Sequence, residues 1–473
     1  MVRAGRLEEL SSRLAAGLDP NGVFAASPSR DTALIRACWQ QDEAFVALLL
    51  QHGADPDGVD AFGSTALGVA ARVGFAAGVA LLLANGAGPE VVGYEGRTAL
   101  LEAVEEGNES IVLRLLASGA AVGATDKRGR GALAYAAAEH KVGRTASLAQ
   151  ALLDHGAACS QVDGFGMTPL MHAARGGHVE VAAALLAGGA GANEHGTASR
   201  LEQMPCGGDQ TPLLWAAQAY RRAGPMVRLL LAAGASVRVR GHGGAGPLVI
   251  AAQFGDTEVL SLLLDAGCAV ADTNASGQTA LHQAAENGHL EAVRLLLTRG
   301  APLEARDDLF TPLMTALAYR REPCAEALVD SGANVNAVTE GVDWLADTSV
   351  LMLALGALDD LLFERNATRH VDLGLLGKLL ARGANVNAVT RFGMTPLING
   401  LYCVPAVEAA RMLLAAGAGV NMRTADGTTA LHRAAGLRDP ELYALLLAHG
   451  AEETARDCRG RTPLEVAREA SKG

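Results

Sequence analysis

The sequence has no long apolar run and no excess of positive charge, and each absence removes a class of function. Its longest apolar stretches, such as Phe75 to Ala84, fall far short of the roughly 20 residues that a membrane-spanning helix needs. Met1 to Leu10 hold no apolar segment of the kind that marks a secretory leader. A cytoplasmic protein without membrane insertion is expected, with nuclear entry or delivery into a host cell as alternatives. The glycosylation-like triplets at Asn108, Asn274 and Asn366 are then idle matches. Formal charge is −12 and the pI is near 5.5, so phosphate backbones would repel the chain as a whole and direct nucleic-acid binding is not expected. Basic clusters at Lys127, Arg128 and Arg130, and at Arg221, Arg222 and Arg228, read as solvated turns or helix faces.

Catalytic and metal-binding signatures are missing as well. No serine nucleophile elbow, phosphate-binding glycine loop or paired-histidine zinc helix occurs. His178-Val179-Glu180 and His289-Leu290-Glu291 imitate half of a zinc deaminase motif, but the paired cysteines it requires are absent, and Pro205-Cys206-Gly207-Gly208 stops short of them. Asp55 to Asp60 has a calcium-loop flavour without the twelfth-position Glu. Seven cysteines, an odd number with no two spaced as a zinc pair, point to reduced thiols and to no metal or cofactor. By position Cys38, Cys159 and Cys268 read as small buried fillers, and Cys206, Cys403 and Cys458 as exposed.

What the sequence does have is a phrase that restarts. A Thr, or a stand-in for it, stands two residues before a Leu and about 21 before a Gly-Ala pair, at Thr32, Thr65, Thr98, Gly131, Thr168, Thr211, Gly246, Thr279, Thr311, Ser349, Thr395, Thr429 and Thr462. The steps are 33, 33, 33, 37, 43, 35, 33, 32, 38, 46, 34 and 33 residues. Such a period marks stacked supersecondary units, each unable to bury its apolar face alone. In Thr168-Pro169-Leu170 the hydroxyl can cap a helix and Pro sits at its first position, where a missing amide proton costs nothing. Val179 to Leu186 then has the spacing of a second helix, closed by Gly189. A polar stretch such as Asp126 to Gly129 makes a turn or hairpin before the next Thr.

Gly277-Gln278-Thr279-Ala280-Leu281-His282 and Gly427-Thr428-Thr429-Ala430-Leu431-His432 are the fullest copies, and with them the chain resembles the ankyrin repeat family. The resemblance covers roughly residues 31 to 470 and implies an all-α repeat solenoid of stacked helix-turn-helix units with β-hairpin or turn fingers. The expected organisation is a capping half-repeat at 1–30, an array of about twelve repeats at 31–460, and a capping helix at 461–473, with no room left for a catalytic domain. Insertions fall near 140–150, 190–208, 338–348 and 356–376. The units opened by Gly131, Gly246 and Ser349 should be looser or irregular. His172, His282 and His432 are assigned to the family's structural imidazole position, which ties successive turns together. His52, His155 and His449 close second helices, and His178 and His289 occupy interhelix turns. His140, His195, His242 and His370 lie in different repeats or insertions and suggest no shared site.

The resemblance also implies where partners bind: on the concave side, at the residues four, three and one before the Thr and seven or eight after it. Those offsets select Trp39, Phe62, Tyr94, Phe165, Phe254, Phe310, Tyr319, Phe392 and Tyr402, half of the eighteen aromatics in the chain. Phe62, Phe165 and Phe392 precede a finger Gly and read as packing against the neighbouring finger. Trp39, Tyr94, Phe254, Phe310, Tyr319 and Tyr402, with Trp344 in an insertion, are the candidate partner contacts. The expected function is a non-enzymatic, monomeric scaffold or adaptor binding a protein partner. The alternatives are a regulatory or inhibitory subunit of an enzyme or transcription factor, a bacterial effector binding host proteins, and an enzyme using inserted loops around His195, Cys206 or His370.

Overall fold

The structure, a computed structural model, describes residues 2–22, 31–138, 146–196, 210–218, 223–340, 346–357 and 369–470. The central parts of all four insertions lie outside the described residues. With them lie His140, Cys206, Arg221, Arg222, Trp344 and Asn366, named above. The described residues form two compact units, Met1–His242 and Gly243–Gly473.

Each unit is a stack of helix pairs whose starts the sequence marks. Thr32, Thr65, Thr98, Thr168 and Thr211 accept the amide proton of the residue three positions on, and so do Thr279, Thr311, Ser349, Thr395 and Thr429 in the second unit. The Leu two residues after each of these caps, and after Gly131 and Gly246, is the core anchor, whereas Leu464, after Thr462, is exposed. Leu34, Leu67, Leu100, Leu133, Leu170 and Leu213 are no more than 3% exposed. Leu248, Leu281, Leu313, Leu351, Leu397 and Leu431 are no more than 2% exposed. Burying one such side chain contributes about 1.5–3 kcal/mol. Small pairs such as Ala70-Ala71 and Ala284-Ala285, fully buried, let consecutive first helices approach closely. The unit opened by Gly246 is not irregular: Pro247–Phe254 is a full eight-residue helix, because Pro247 presets the first turn and Leu248, Val249, Ala251 and Ala252 are buried. The Ser349 unit does have a short first helix, Val350–Ala354.

The fingers are turns closed by single antiparallel bridges, such as Val59 with Thr65 and Thr273 with Thr279, rather than hairpins of regular strands. An Asp or Asn at the root folds many of these turns, and Thr390 does so in its own. Asp163 Oδ1, for example, accepts from the Phe165 and Met167 amides at 2.8 and 2.9 Å. Fingers also bond to one another, and there glycine is required. A Cβ on Gly393, at φ +72°, would lie 2.7 Å from the Arg423 carbonyl oxygen.

A second ladder joins the far ends of the repeats. Asn387 Oδ1 accepts from the Gly419 amide at 2.7 Å while its Nδ2 donates to the Gly417 carbonyl at 3.1 Å. Asn193, Asn336 and Asn421 make the same double bridge. Asn336 reaches Gly383 and Asn385 across the longest repeat, so the ladder continues between the repeats that flank its insertion. At the first repeat, Asn21 accepts from the Asp55 amide at 2.7 Å and precedes the ladder proper. A departure from regularity is a two-residue parallel pairing of β1, Arg369–His370, with β2, Cys403–Val404. It turns Cys403 inward, 3% exposed with its thiol on the Gly400 carbonyl, where the sequence reading had it exposed.

Candidate partner-binding face

Trp39 ends the helix Ala33–Trp39, in which Ile35 and Cys38 take the core and are fully buried. Trp39 is thereby left 45% exposed. In the next finger Asp60 Oδ1 accepts from the Phe62 and Ser64 amides at 2.8 and 2.7 Å, which pushes Phe62 out to 57% exposure. Tyr94, 44% exposed, stands on the following finger. The three rings, with Asp31, Arg36, Asp60, Ser64 and Arg72, line one open groove of about 500 Å³. In the second unit Phe392 and Tyr402 are 51% and 37% exposed, and the Arg433 guanidinium lies 5.9 Å from the Tyr402 ring centre.

Trp39, Tyr94 and Tyr402 are thus solvent-exposed, whereas Phe254, Phe310 and Tyr319 are half-buried. Tyr319 is tied to Glu286 by a side-chain hydrogen bond, and burial together with that carboxylate pushes its hydroxyl above the usual pKa. Phe62 and Phe392 are not packed away against neighbouring fingers; Phe165 is half-buried.

Beneath the first unit's groove runs a polar seam in which Arg36, Glu102, Tyr135 and His172, each four residues after a cap and outside the offsets above, meet charged residues at other positions. Arg36 Nη1 meets Asp31 at 3.0 Å. Arg72 Nε donates to the buried Glu102 carboxylate at 2.8 Å, and Arg97 pairs with Glu105 and approaches Glu102 at 3.8 Å. Tyr135, buried, donates to Asp126 at 2.7 Å, and Arg130 donates to both. Burial opposes ionisation of Asp126, but the Tyr135 and Arg130 hydrogen bonds outweigh it and hold its pKa below the ordinary value. Further along, His172 meets Asp163 at 2.8 Å, and the Arg175 guanidinium lies 5.5 Å from the centre of the buried Trp215 ring. A polar residue four places after a cap, inside an otherwise apolar helix, was the signal available for this seam.

His172 itself corrects an expectation. It stands four residues after its cap, one later than His282 and His432, so it binds its own finger's Asp163 instead of linking repeats. His282 and His432 do link them: each Nε2 donates to the carbonyl before the next cap, Phe310 at 3.2 Å and Arg461 at 3.0 Å. The thiols are structural where buried, with Cys38 pushed up to about 12 and Cys324, which the sequence reading left unassigned, to about 11 by desolvation. Cys159 and Cys268 are half-buried and Cys458 is exposed. Among the described residues no group of three His, Cys, Asp or Glu side chains could hold a metal ion. None of the described helices is long and apolar enough to cross a membrane.

Comparison with known proteins agrees with this architecture. A family model described as ankyrin repeats in three copies matches residues 2–93, 34–126, 67–157, 133–241, 248–339, 366–457 and 401–472. The chain is 31% identical over 170 residues to a putative ankyrin repeat protein, YahD, of Escherichia coli, covering 34% of this chain and 73% of that protein. It is 30% identical over 160 residues to the mouse B-cell lymphoma 3 protein homolog, 33% of this chain and 32% of that one. It is 34% identical over 175 residues to the chicken nuclear factor NF-kappa-B p105 subunit, 32% and 17% of the two chains. The solved ankyrin repeat domain of Bcl-3, described as a member of the IkappaB protein family, aligns at 28% identity and a TM-score of 0.39, over 49% of this chain and all of that one. The chain therefore spans most of the bacterial relative but a third or less of the two vertebrate ones. By the match along nearly its whole length, this chain belongs to the ankyrin repeat family.

Proposed function

We propose that the protein is a non-enzymatic scaffold or adaptor that captures a partner protein on the face bearing Trp39, Phe62 and Tyr94. Ankyrin repeats generally mediate protein–protein interaction. The observation that carries the placement is the convergence of three exposed rings on one groove in a chain where aromatics make up only 4% of residues. Rings held by capped helices and Asx turns are preorganised, so little ordering cost falls on this side of the complex. Each ring that a partner fully desolvates can supply about 2 kcal/mol or more.

The test is affinity capture by the intact protein and by Trp39→Ala/Tyr94→Ala, with mass spectrometry of what is retained. All three rings are exposed, so the variant should keep the wild-type far-ultraviolet circular dichroism and melting curve. It is expected to lose the partner. A partner retained in full by a folded double variant would refute the placement. A role as regulatory subunit would show as an enzyme or transcription factor among the captured proteins.

A further inference from the structure

The rings do not stand alone: the fingers that carry them lead directly into a basic tip. A Cβ on Gly63 would lie 4.0 Å from the Gly93 backbone, so the Phe62 and Tyr94 fingers abut. The Lys127 amide donates to the Glu95 carbonyl at 3.0 Å, and a Cβ on Gly96 would lie 2.9 Å from Lys127 Cγ. The Tyr94 finger is therefore in contact with the finger presenting Lys127 and Arg128, both exposed.

The charges along this strip do not cancel evenly. Arg72 and Arg97 are engaged by Glu102 and Glu105, and Arg130 by Asp126. Asp60 is turned back onto its own finger amides, and Asp31 sits on Arg36. Glu95, between them, is engaged by Arg97. Lys127 and Arg128 form no ion pair among the described residues, so the surface presents an aromatic groove at one end and two unpaired cations at the other. Packed helices lie 8–10 Å apart, which puts the two ends, two repeats apart, about 20 Å from each other. That distance is spanned by about six extended residues.

We propose that the strip binds an extended acidic segment of a partner protein. An aromatic or aliphatic anchor enters the Trp39/Phe62/Tyr94 groove, and carboxylates about six residues away meet Lys127 and Arg128. The inference rests on the proposed binding function and specifies the chemistry of its ligand. It runs against the charge of the molecule as a whole, −12, so an acidic ligand would have to be drawn by this local pair rather than by the overall field.

The experiment is selection of a random twelve-residue peptide display library on the intact protein, followed by fluorescence anisotropy of enriched peptides on wild type, Lys127→Glu/Arg128→Glu and Trp39→Ala/Tyr94→Ala. Circular dichroism melting checks that each variant is folded. The expected result is a pool enriched in peptides that join a large apolar residue to a run of Asp or Glu. Their affinity should fall about tenfold on charge reversal, weaken from 50 to 500 mM salt, and fall at least as far without the two rings. Peptides that are not acidic, or that bind the charge-reversed protein as well as wild type, would overturn this inference. If such peptides still need Trp39 and Tyr94, the aromatic face stands as the binding site. Peptides indifferent to both variants would sink that reading too, and failure to enrich any peptide would overturn the linear acidic ligand.

Discussion

Glu102 is the most demanding position in the polar seam. It is 3% exposed, and its carboxylate holds Arg72 of the preceding repeat at 2.8 Å and faces Arg97 at 3.8 Å. Among the described residues Glu102→Ala leaves Arg72 with no carboxylate in salt-bridge range, only the longer-range attraction of Glu105 and Glu106, while Arg97 keeps Glu105 and Glu95. Breaking a buried pair from one side costs about 3–5 kcal/mol. The Arg72 side chain is 28% exposed and can partly rehydrate, so the lower end, about 3 kcal/mol, is expected. Replacing both partners, as Glu102→Met/Arg72→Met, removes the stranded charge with the pair and should restore stability to within about 1 kcal/mol of wild type. A chain of many repeats in two units does not unfold in one step, so the assay is hydrogen exchange of the Ala99–Glu106 helix in the intact protein. At 1.4 kcal/mol per tenfold, Glu102→Ala should speed exchange through local opening on the order of 100-fold. An acceleration below about tenfold, or a Met pair as damaging as the single Ala, would refute the assignment of the pair as a buried link between repeats.

Two further outcomes are expected. His282 is fully buried, its Nδ1 accepting the Thr279 amide proton and its Nε2 donating to Phe310; burial, its largest influence, holds the pKa below 6.5. A depressed folded value means that its contribution is complete above about pH 6.5 and is lost as pH falls through the folded value. Melting temperature should therefore fall from pH 7 to pH 5 more steeply for wild type than for His282→Gln, and parallel curves would count against it. At the far ladder, Asn387→Ala removes both hydrogen bonds to the next repeat and should cost about 1–2 kcal/mol. Asn387→Asp keeps the acceptor and should cost less, as read by exchange of the Gly417–Gly419 amides; equal losses would show that the double bridge is not what matters.

The repeat itself was legible in the chain because its determinants are local. A capping hydroxyl, Pro at the first helical turn, Leu two residues on and a Gly at positive φ each act within a few bonds, and their period alone requires stacking. The exposed rings at Trp39, Tyr94 and Tyr402 were also reached, from offsets that the family resemblance implies, counted from each cap. Three features depended on tertiary packing. Phe62 and Phe392 are exposed because the root of the finger turns its tip outward, which no count of residues reports. Cys403 is buried where Cys403–Val404 pairs with Arg369–His370 at the end of the preceding repeat's long insertion, a contact between residues more than thirty apart in sequence. The link between Arg72 and Glu102 exists only because side chains about one repeat apart are brought within hydrogen-bond distance, and stacking likewise brings the Arg97 guanidinium to 5.4 Å from the Tyr135 ring centre. The sequence determined which residues each repeat would offer, and the stacking decided which of their charges would cancel and which, at Lys127 and Arg128, would be left facing solvent.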